Sequence, residues 1–414
     1  MGDCFTASDA ADFASKDSSR LIGSIAKTLA ANSPFINVFG GGTFPSGVSD
    51  EVRSSVQLQA APGDSLAIPT FVNDTDVCGT NGNEDKVSTH EYTYRLQSKR
   101  GRGPRVCVKK GYAAFKDSYT RAEDSLAKLV TQYINADVKY QAYRLSGSKF
   151  VAASGYTFNS LFTGGTESDL EQEFVDLAPN TQLTFSALHR IARHQREVLF
   201  AEPFANGSAG GTHFRFIGSA EVIESFREES GVKDVLVALT NGSYEMGKVS
   251  LTSYSWDVAP AYRGIGFGID QRPLRFNVFD NEGWPVLLDP VTVVTGSNGK
   301  AYAKASETWL KATYEIGLLF AQNGFERLVP ERYVGEGSFR FAPQLHAGEL
   351  QWHYQIDNDC NTWGDYGWHK YQITRAYRPV RPQHVTAIAY KRCEADMGLE
   401  ACAVTGEEYS GEIL

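Results

Sequence analysis

The sequence predicts an α+β fold organised on one long helix. Residues 119–146 repeat apolar positions at three- and four-residue steps, with no Gly or Pro until Gly147. Short alternating segments lie on both sides of that helix and read as strands, the clearest at 87–96 and 385–392. With 42% hydrophobic and 21% charged residues over 414 positions, the composition is that of a packed chain. A chain of this length holds more than one small core.

The bulk properties exclude several classes. A formal net charge of -9 argues against general nucleic-acid affinity for the molecule as a whole. No apolar run is long enough to span a bilayer, so no membrane partner is expected. The start is acidic and small-residue rich, without a basic block and an apolar block, which places synthesis in a cytoplasm. Met1-Gly2-Asp3-Cys4-Phe5-Thr6 matches the N-myristoylation pattern, a short motif with many chance occurrences. Cys4, Cys78, Cys107, Cys360, Cys393 and Cys402 form no C-x-x-C and have no histidine pair at metal spacing, so reduced thiols are expected and a structural zinc is not. Cys360 and Cys393 flank the late strands and are expected near each other; a disulfide needs a Cα separation under about 7 Å. Abundant Tyr, Phe and Trp suit either large interfaces or a rich core.

In chain order, residues 8–31 read as an amphipathic helix stopped at Asn32-Ser33-Pro34. Residues 35–62 read as an extended arm, broken by Gly40-Gly41-Gly42 and Pro45, that does not bury itself and is either a linker or a strap across a neighbour. A strand at 66–72, a polar tip at 73–85 and a strand at 87–96, with Tyr92, Tyr94 and Leu96 on one face, predict a projecting hairpin. It returns into a basic patch of Lys99, Arg100, Arg102, Arg105, Lys109 and Lys110, whose glycines read as flexible, with a short strand at 106–108. Thr120 and Glu123 fit a capping box that opens the long helix. At about 27 residues the helix spans about 40 Å. Its packing stripe includes Leu126, Leu129, Tyr133 and Ile134, and its charged remainder predicts a surface position rather than a path through a core.

Residues 155–179 read as a loop with acids at Glu167, Asp169, Glu171 and Glu173. Residues 183–199 predict a helix with Leu188, Ile191, Ala192 and Val198 inward and Arg190, Arg193 and Arg196 outward. A strand at 212–218, a short helix at 220–229 and an element of open type at 233–239 follow. Next come a glycine-spaced extended segment at 262–270 and a strand at 272–279. Residues 302–330 are mixed; 350–356, 369–377 and 385–392 are strands; an acidic tail ends the chain.

Motifs for chemistry fail on spacing. Gly264, Gly266 and Gly268 lack the third glycine and helix of a dinucleotide site, and read as a packed or flexible strand. His189 and His194 lie five apart, so they point to different helix faces. Asp357, Asp359 and Asn361 imitate a calcium loop, but Thr362 stands where Gly is needed and Trp368 where Glu is needed. The acids at 167–173 have no identifiable cleft for glycoside hydrolysis. No cofactor, metal or catalytic residue is expected. For the basic patch three readings compete: a solvated hairpin root, phosphate contact, and pairing with acidic surface on a neighbouring copy. The net negative charge favours the last.

The order of parts resembles the major capsid proteins of tailed bacteriophages, with their Hong Kong 97-like fold. The resemblance runs over residues 35–393 and rests on short phrases in sequence. They are Gly47-Val48-Ser49-Asp50 on to Arg53 and Gln57; Gly103-Pro104-Arg105-Val106-Cys107; and Tyr262-Arg263-Gly264 with Pro273. Later come Phe325 to Pro330, Gly348-Glu349-Leu350-Gln351-Trp352, Cys360-Asn361 with Gly364, and Arg378-Pro379 leading to Tyr390-Lys391-Arg392-Cys393. The resemblance implies an N-terminal arm (1–62), an extended hairpin or E-loop (63–110) and a peripheral domain with the spine helix (111–160). An axial domain (161–299), returning peripheral strands (300–396) and a tail (397–414) complete it. It implies a non-enzymatic subunit forming hexamers and pentamers of an icosahedral head. Its implied partners are copies of itself, a portal, decoration or scaffold proteins, and packaged double-stranded DNA held by non-specific contact. The Lys and Asn of family members that crosslink have no match here. Two other readings stay open: an encapsulin-like compartment shell, and a β-rich carbohydrate-active enzyme using acids near 167–173 or 357–365.

Overall fold

The computed structural model describes residues 34–35, 38–45, 51–57, 67, 89–103, 106–107, 112–152, 157–160, 179–205, 212–228, 264–281, 283–297, 299, 301–330, 340–341, 350–356 and 366–392. The expected elements at 8–31 and 233–239, the one at 66–72 apart from residue 67, the acids at 167–173, the calcium-like 357–361, Cys360 and Cys393, the Met1–Thr6 motif and the tail lie outside them.

The chain opens with β1 (Gly40–Phe44), β2 (Glu51–Gln57), β3 (Thr89–Arg95), β4 (Gln97–Arg102) and β5 (Val106–Cys107), then enters helix α1 (Tyr112–Arg144). The middle contains β6 (Ser148–Val151), β7 (Thr157–Ser160), α2 (Phe185–Glu197), β8 (Phe204–Ala205), β9 (Thr212–Gly218), α3 (Ala220–Glu228) and β10 (Ile265–Ile269). Then come β11 (Leu274–Phe279), β12 (Pro285–Leu287), β13 (Val291–Thr295), β14 (Ala301–Ala305) and the short α4 (Glu307–Leu310). The end is β15 (Tyr314–Phe320), β16 (Phe325–Pro330), β17 (Arg340–Phe341), β18 (Leu350–Ile356), β19 (Tyr366–Pro379) and β20 (Val385–Lys391).

Two sheets share the long helix. The first runs β1-β16-β19-β18-β17, with β4 and β5 also on β19. At 14 residues, β19 is long enough to change neighbours along its length. Its first half lies between β18 and β4, and its last residues pair with β16. The second sheet runs β10-β9-β15-β20-β6-β7, with β11, β12 and β8 attached. The β10–β9 and β20–β6 pairs are parallel.

Helix α1 stacks Leu126, Val130, Ile134, Val138 and Ala142 at four-residue steps in one core. That core includes Leu350, Trp352, Tyr371 and Ile373 of the first sheet, and Ile316, Leu318, Val385, Ala387 and Ala389 of the second. The opposite face of the second sheet packs Phe214, Phe216, Leu319, Ile388 and Tyr390 against Leu188 and Ile191 of α2 and Val222, Ile223 and Phe226 of α3. The alternation along β20 therefore serves two cores, odd residues to α1 and even residues to α2 and α3. Thr184 opens α2 by accepting a hydrogen bond from the Ala187 N–H at 3.2 Å.

Several expectations are corrected. The helix has 33 residues and begins at Tyr112, so Thr120 and Glu123 lie inside it and form no capping box. Its C-terminal part is enclosed: Val138, Lys139, Ala142 and Tyr143 are all buried, which corrects the expected surface helix. Leu129, expected in the packing stripe, is 38% exposed because the four-residue ladder turns it toward solvent. Val198 is 45% exposed because α2 ends at Glu197 and the chain turns to bury Leu199 instead. The arm does bury itself: Phe35, Val38 and Phe44 are in cores, and β1 joins β16 in parallel. The partner of β3 is β2, in register from Glu51↔Arg95 to Gln57↔Thr89, so the hairpin starts within the residues expected to be arm. β7 occupies part of the expected loop at 155–179 and pairs with β6.

Candidate assembly surface

The basic segment is a strand, not a flexible root. β4 pairs antiparallel with β19 from Gln97↔Arg375 to Arg102↔Lys370. Gly101 is there for contact: a Cβ at that position would overlap the Tyr371 ring. The pleat divides the cations. Lys99 turns toward the spine, with Nζ 3.9 Å from the Tyr133 ring centroid. Arg100 and Arg102 take the other face. Arg100 Nε donates to Gln372 Oε1 at 2.8 Å, and the Arg102 guanidinium lies 5.7 Å from the Trp368 ring. Ser98 and Thr374 hydroxyls meet at 3.0 Å. Lys99, Arg100 and Arg102 remain exposed, and among the described residues β4 has no strand on its outer edge. Charged side chains on such an edge also discourage stray strand addition. Arg105, Lys109 and Lys110 lie outside the described residues.

The β2–β3 hairpin leads into this edge. Tyr94 anchors its base, packed edge-on to Phe44 at 6.0 Å and clustered with Leu328 and Ala376. Arg95 and Glu51 pair across it at 2.7 Å, an exposed bridge worth under about 1 kcal/mol. Of the expected spine packing residues, Leu126 and Ile134 are buried, Tyr133 is half-buried against the core, and Leu129 is exposed.

Polar joints that sequence reasoning missed tie the spine to both sheets. Asp137 Oδ2 accepts from Arg375 Nε at 2.6 Å and from Tyr377 Oη at 2.8 Å. Lys139 Nζ donates to Asp270 Oδ2 at 2.8 Å and to the Arg272 carbonyl, joining α1 to the turn between β10 and β11. A third cluster joins α3 to the second sheet. Arg392 Nη2 reaches Glu221 at 3.0 Å, and Arg275 Nε reaches the fully buried Glu315 at 3.2 Å. Arg392 Nη1 also satisfies the carbonyls of Leu310 and Ala312. Burial pushes the Glu315 carboxyl above its usual range, opposed by Arg275, and burial beside Glu315 pushes the Tyr390 phenol well up. The recess beside this cluster has room for about one water, so it is a joint rather than a ligand site.

The other motifs resolve simply. Gly264 takes φ +78, and β10 beyond it is a buried strand on β9. His189 is exposed and His194 half-buried, with its imidazole pKa lowered by burial. Among the described residues no three His, Cys, Asp or Glu side chains group as metal ligands, and no helix is long and apolar enough to cross a membrane.

A shared spine helix, two sheets and the β2–β3 hairpin make an α+β fold, and solved structures identify it as the Hong Kong 97-like fold of phage capsids. Among solved structures, the chain is similar to a chain of the cyanophage Pam1 capsid asymmetric unit, with a TM-score of 0.51 at 9% identity, over 87% of this chain and 92% of that one. The capsid of Ralstonia phage GP4 gives 0.46 at 12% identity, over 87% and 91% of the two chains. An encapsulin of Synechococcus elongatus gives 0.36 at 10% identity, over 85% of each. No protein-family model matches the sequence, and no curated protein matches it.

Proposed function

We propose that this chain is the major structural subunit of a phage head. It self-assembles into hexamers and pentamers of an icosahedral shell around double-stranded DNA and carries no enzymatic activity. One observation carries the reading: the fold agrees with a chain of the cyanophage Pam1 capsid asymmetric unit over nearly the whole of both chains. The molecule's physics agrees with it. A hairpin stabilised at its base and a cationic edge strand with no outer neighbour among the described residues suit heterologous contacts that repeat around a ring. In this account Lys99, Arg100 and Arg102, with Arg105, Lys109 and Lys110, meet acidic surface on the next copy. The net charge of -9 keeps the shell from gripping DNA tightly. A portal fills one vertex, and scaffold or decoration proteins are further partners.

The test is sedimentation of the expressed chain with analysis of what the particles hold. A fast-sedimenting species that protects nucleic acid from nuclease supports the reading. Particles filled with protein cargo instead favour a compartment shell. A stable monomer that hydrolyses a glycan rejects both.

A further inference from the structure

The β13–β14 ribbon stands apart from both sheets. Among the described residues the strands pair only with each other, from Val291↔Ala305 to Thr295↔Ala301. The Ser306 N–H to Pro290 carbonyl bond at 3.1 Å closes the base, and Gly299, at φ +72, turns the tip. Directly opposed residues share a face of an antiparallel pair. One face therefore carries Val291, Val293 and Thr295 beside Ala305, Ala303 and Ala301, with no charge. The other carries Thr292 and Val294 beside Lys304 and Tyr302, so it is the face with the charge. All five residues of β14 are exposed, and Val293 is 71% exposed. A lone two-stranded hairpin is marginally stable in water.

We propose that the Val293–Ala303 face docks on a second copy of this chain, as an apolar contact between neighbouring subunits. This rests on the shell reading above. Area selects the occupant. Five residues at 3.4 Å and two strands 4.8 Å apart give a face of about 17 by 10 Å, near 170 Å². A free-standing partner needs about 800 Å² per side. The ribbon therefore holds nothing by itself and serves only between molecules already kept side by side by other contacts. Copies in a ring meet that condition. The small Ala row leaves the face shallow, so the neighbour's surface approaches the backbone closely, and the missing charge rules out phosphate or an acidic strip as the occupant.

The experiment places photo-reactive benzoylphenylalanine at Val293, an exposed position, in particles assembled from equal parts of ¹⁴N and ¹⁵N chains. Mass spectrometry of the crosslinked peptides is expected to show mixed-isotope pairs, both from this chain. Same-isotope pairs only, meaning the ribbon folds onto its own chain, or crosslinks to a different protein, overturn the inference while the shell reading stands. No particles from the unaltered chain overturns both. In parallel, Val293→Asp with Ala303→Asp is expected to lower particle yield about tenfold or more, since each contact would bury unpaired charge. Unchanged near-ultraviolet circular dichroism of the unassembled variant shows that the fold is kept. Unchanged yield overturns the inference.

Discussion

Removing the ammonium of Lys139 tests whether the spine is locked to the second sheet by a buried charge. The Lys139 and Asp270 side chains are 7% and 4% exposed, and their atoms meet at 2.8 Å. Lys139→Met keeps the length and apolar stem but leaves the carboxylate of Asp270 in a dry site. Its remaining partner is the Arg272 N–H, donated to Oδ1 at 3.0 Å. Breaking such a pair from one side costs about 3–5 kcal/mol. Replacing both partners costs less, because no charge is stranded. Urea unfolding of the disassembled chain, followed by tryptophan fluorescence, measures Lys139→Met, Asp270→Asn and the double variant. Lys139→Met is expected to lose about 3 kcal/mol or more, with a double variant more stable than the sum of the singles predicts. A single-variant loss under about 1 kcal/mol with additive effects, the behaviour of an exposed bridge, refutes the reasoning.

Other outcomes follow from the same geometry. Ile134→Ala, at a fully buried position, loses about 2–5 kcal/mol, while Leu129→Ala loses under about 1 kcal/mol; equal losses in urea titration would show that the stripe is misassigned. His384 is buried, its Nδ1 lies 2.6 Å from the Gln322 carbonyl, and its pKa is lowered from 6.5, first by burial and then by Arg381. Below 6.5 the unfolded chain takes up a proton that the folded chain resists, so stability present above that pH falls as the solution is acidified through it. His384→Asn keeps a donor to Gln322 and should flatten the fall in melting temperature between neutral and mildly acidic pH; a parallel curve would show that another group is responsible. Arg100→Glu with Arg102→Glu should block assembly with the circular dichroism spectrum unchanged, and normal particle yield would remove β4 from the contact.

The helical ladder from Leu126 to Ala142 and the two-sided alternation of β20 were legible because each obeys a local period. The stop of α1 at Arg144 was legible to within a few residues from Gly147, where a Cβ would strike the Pro382–Gln383 backbone. Partner choice was not. Nothing local says that β3 takes residues 51–57, because pairing is decided by what the whole sheet buries. The glycines of the basic segment read as flexible since the Tyr371 ring that demands Gly101 lies far along the chain. Ion pairs were hidden for the same reason: Lys139 and Asp270 are 131 residues apart, and Arg275 and Glu315 are 40 apart. The ribbon at 291–305 escaped because its alternation has no buried face within the chain. Of the surface, the cations Lys99, Arg100 and Arg102 were legible as charge, while their split between two faces of one strand needed the register with β19.

The most direct measurement is a cryo-electron microscopy reconstruction of particles formed by the chain. The expected result is a closed shell of pentamers and hexamers in which every wall position is one copy of this fold, with α1 inside the wall and the outer edge of β4 against the next copy. A chain that remains monomeric, or particles in which β4 and the hairpin face open solvent away from every neighbour, would contradict it.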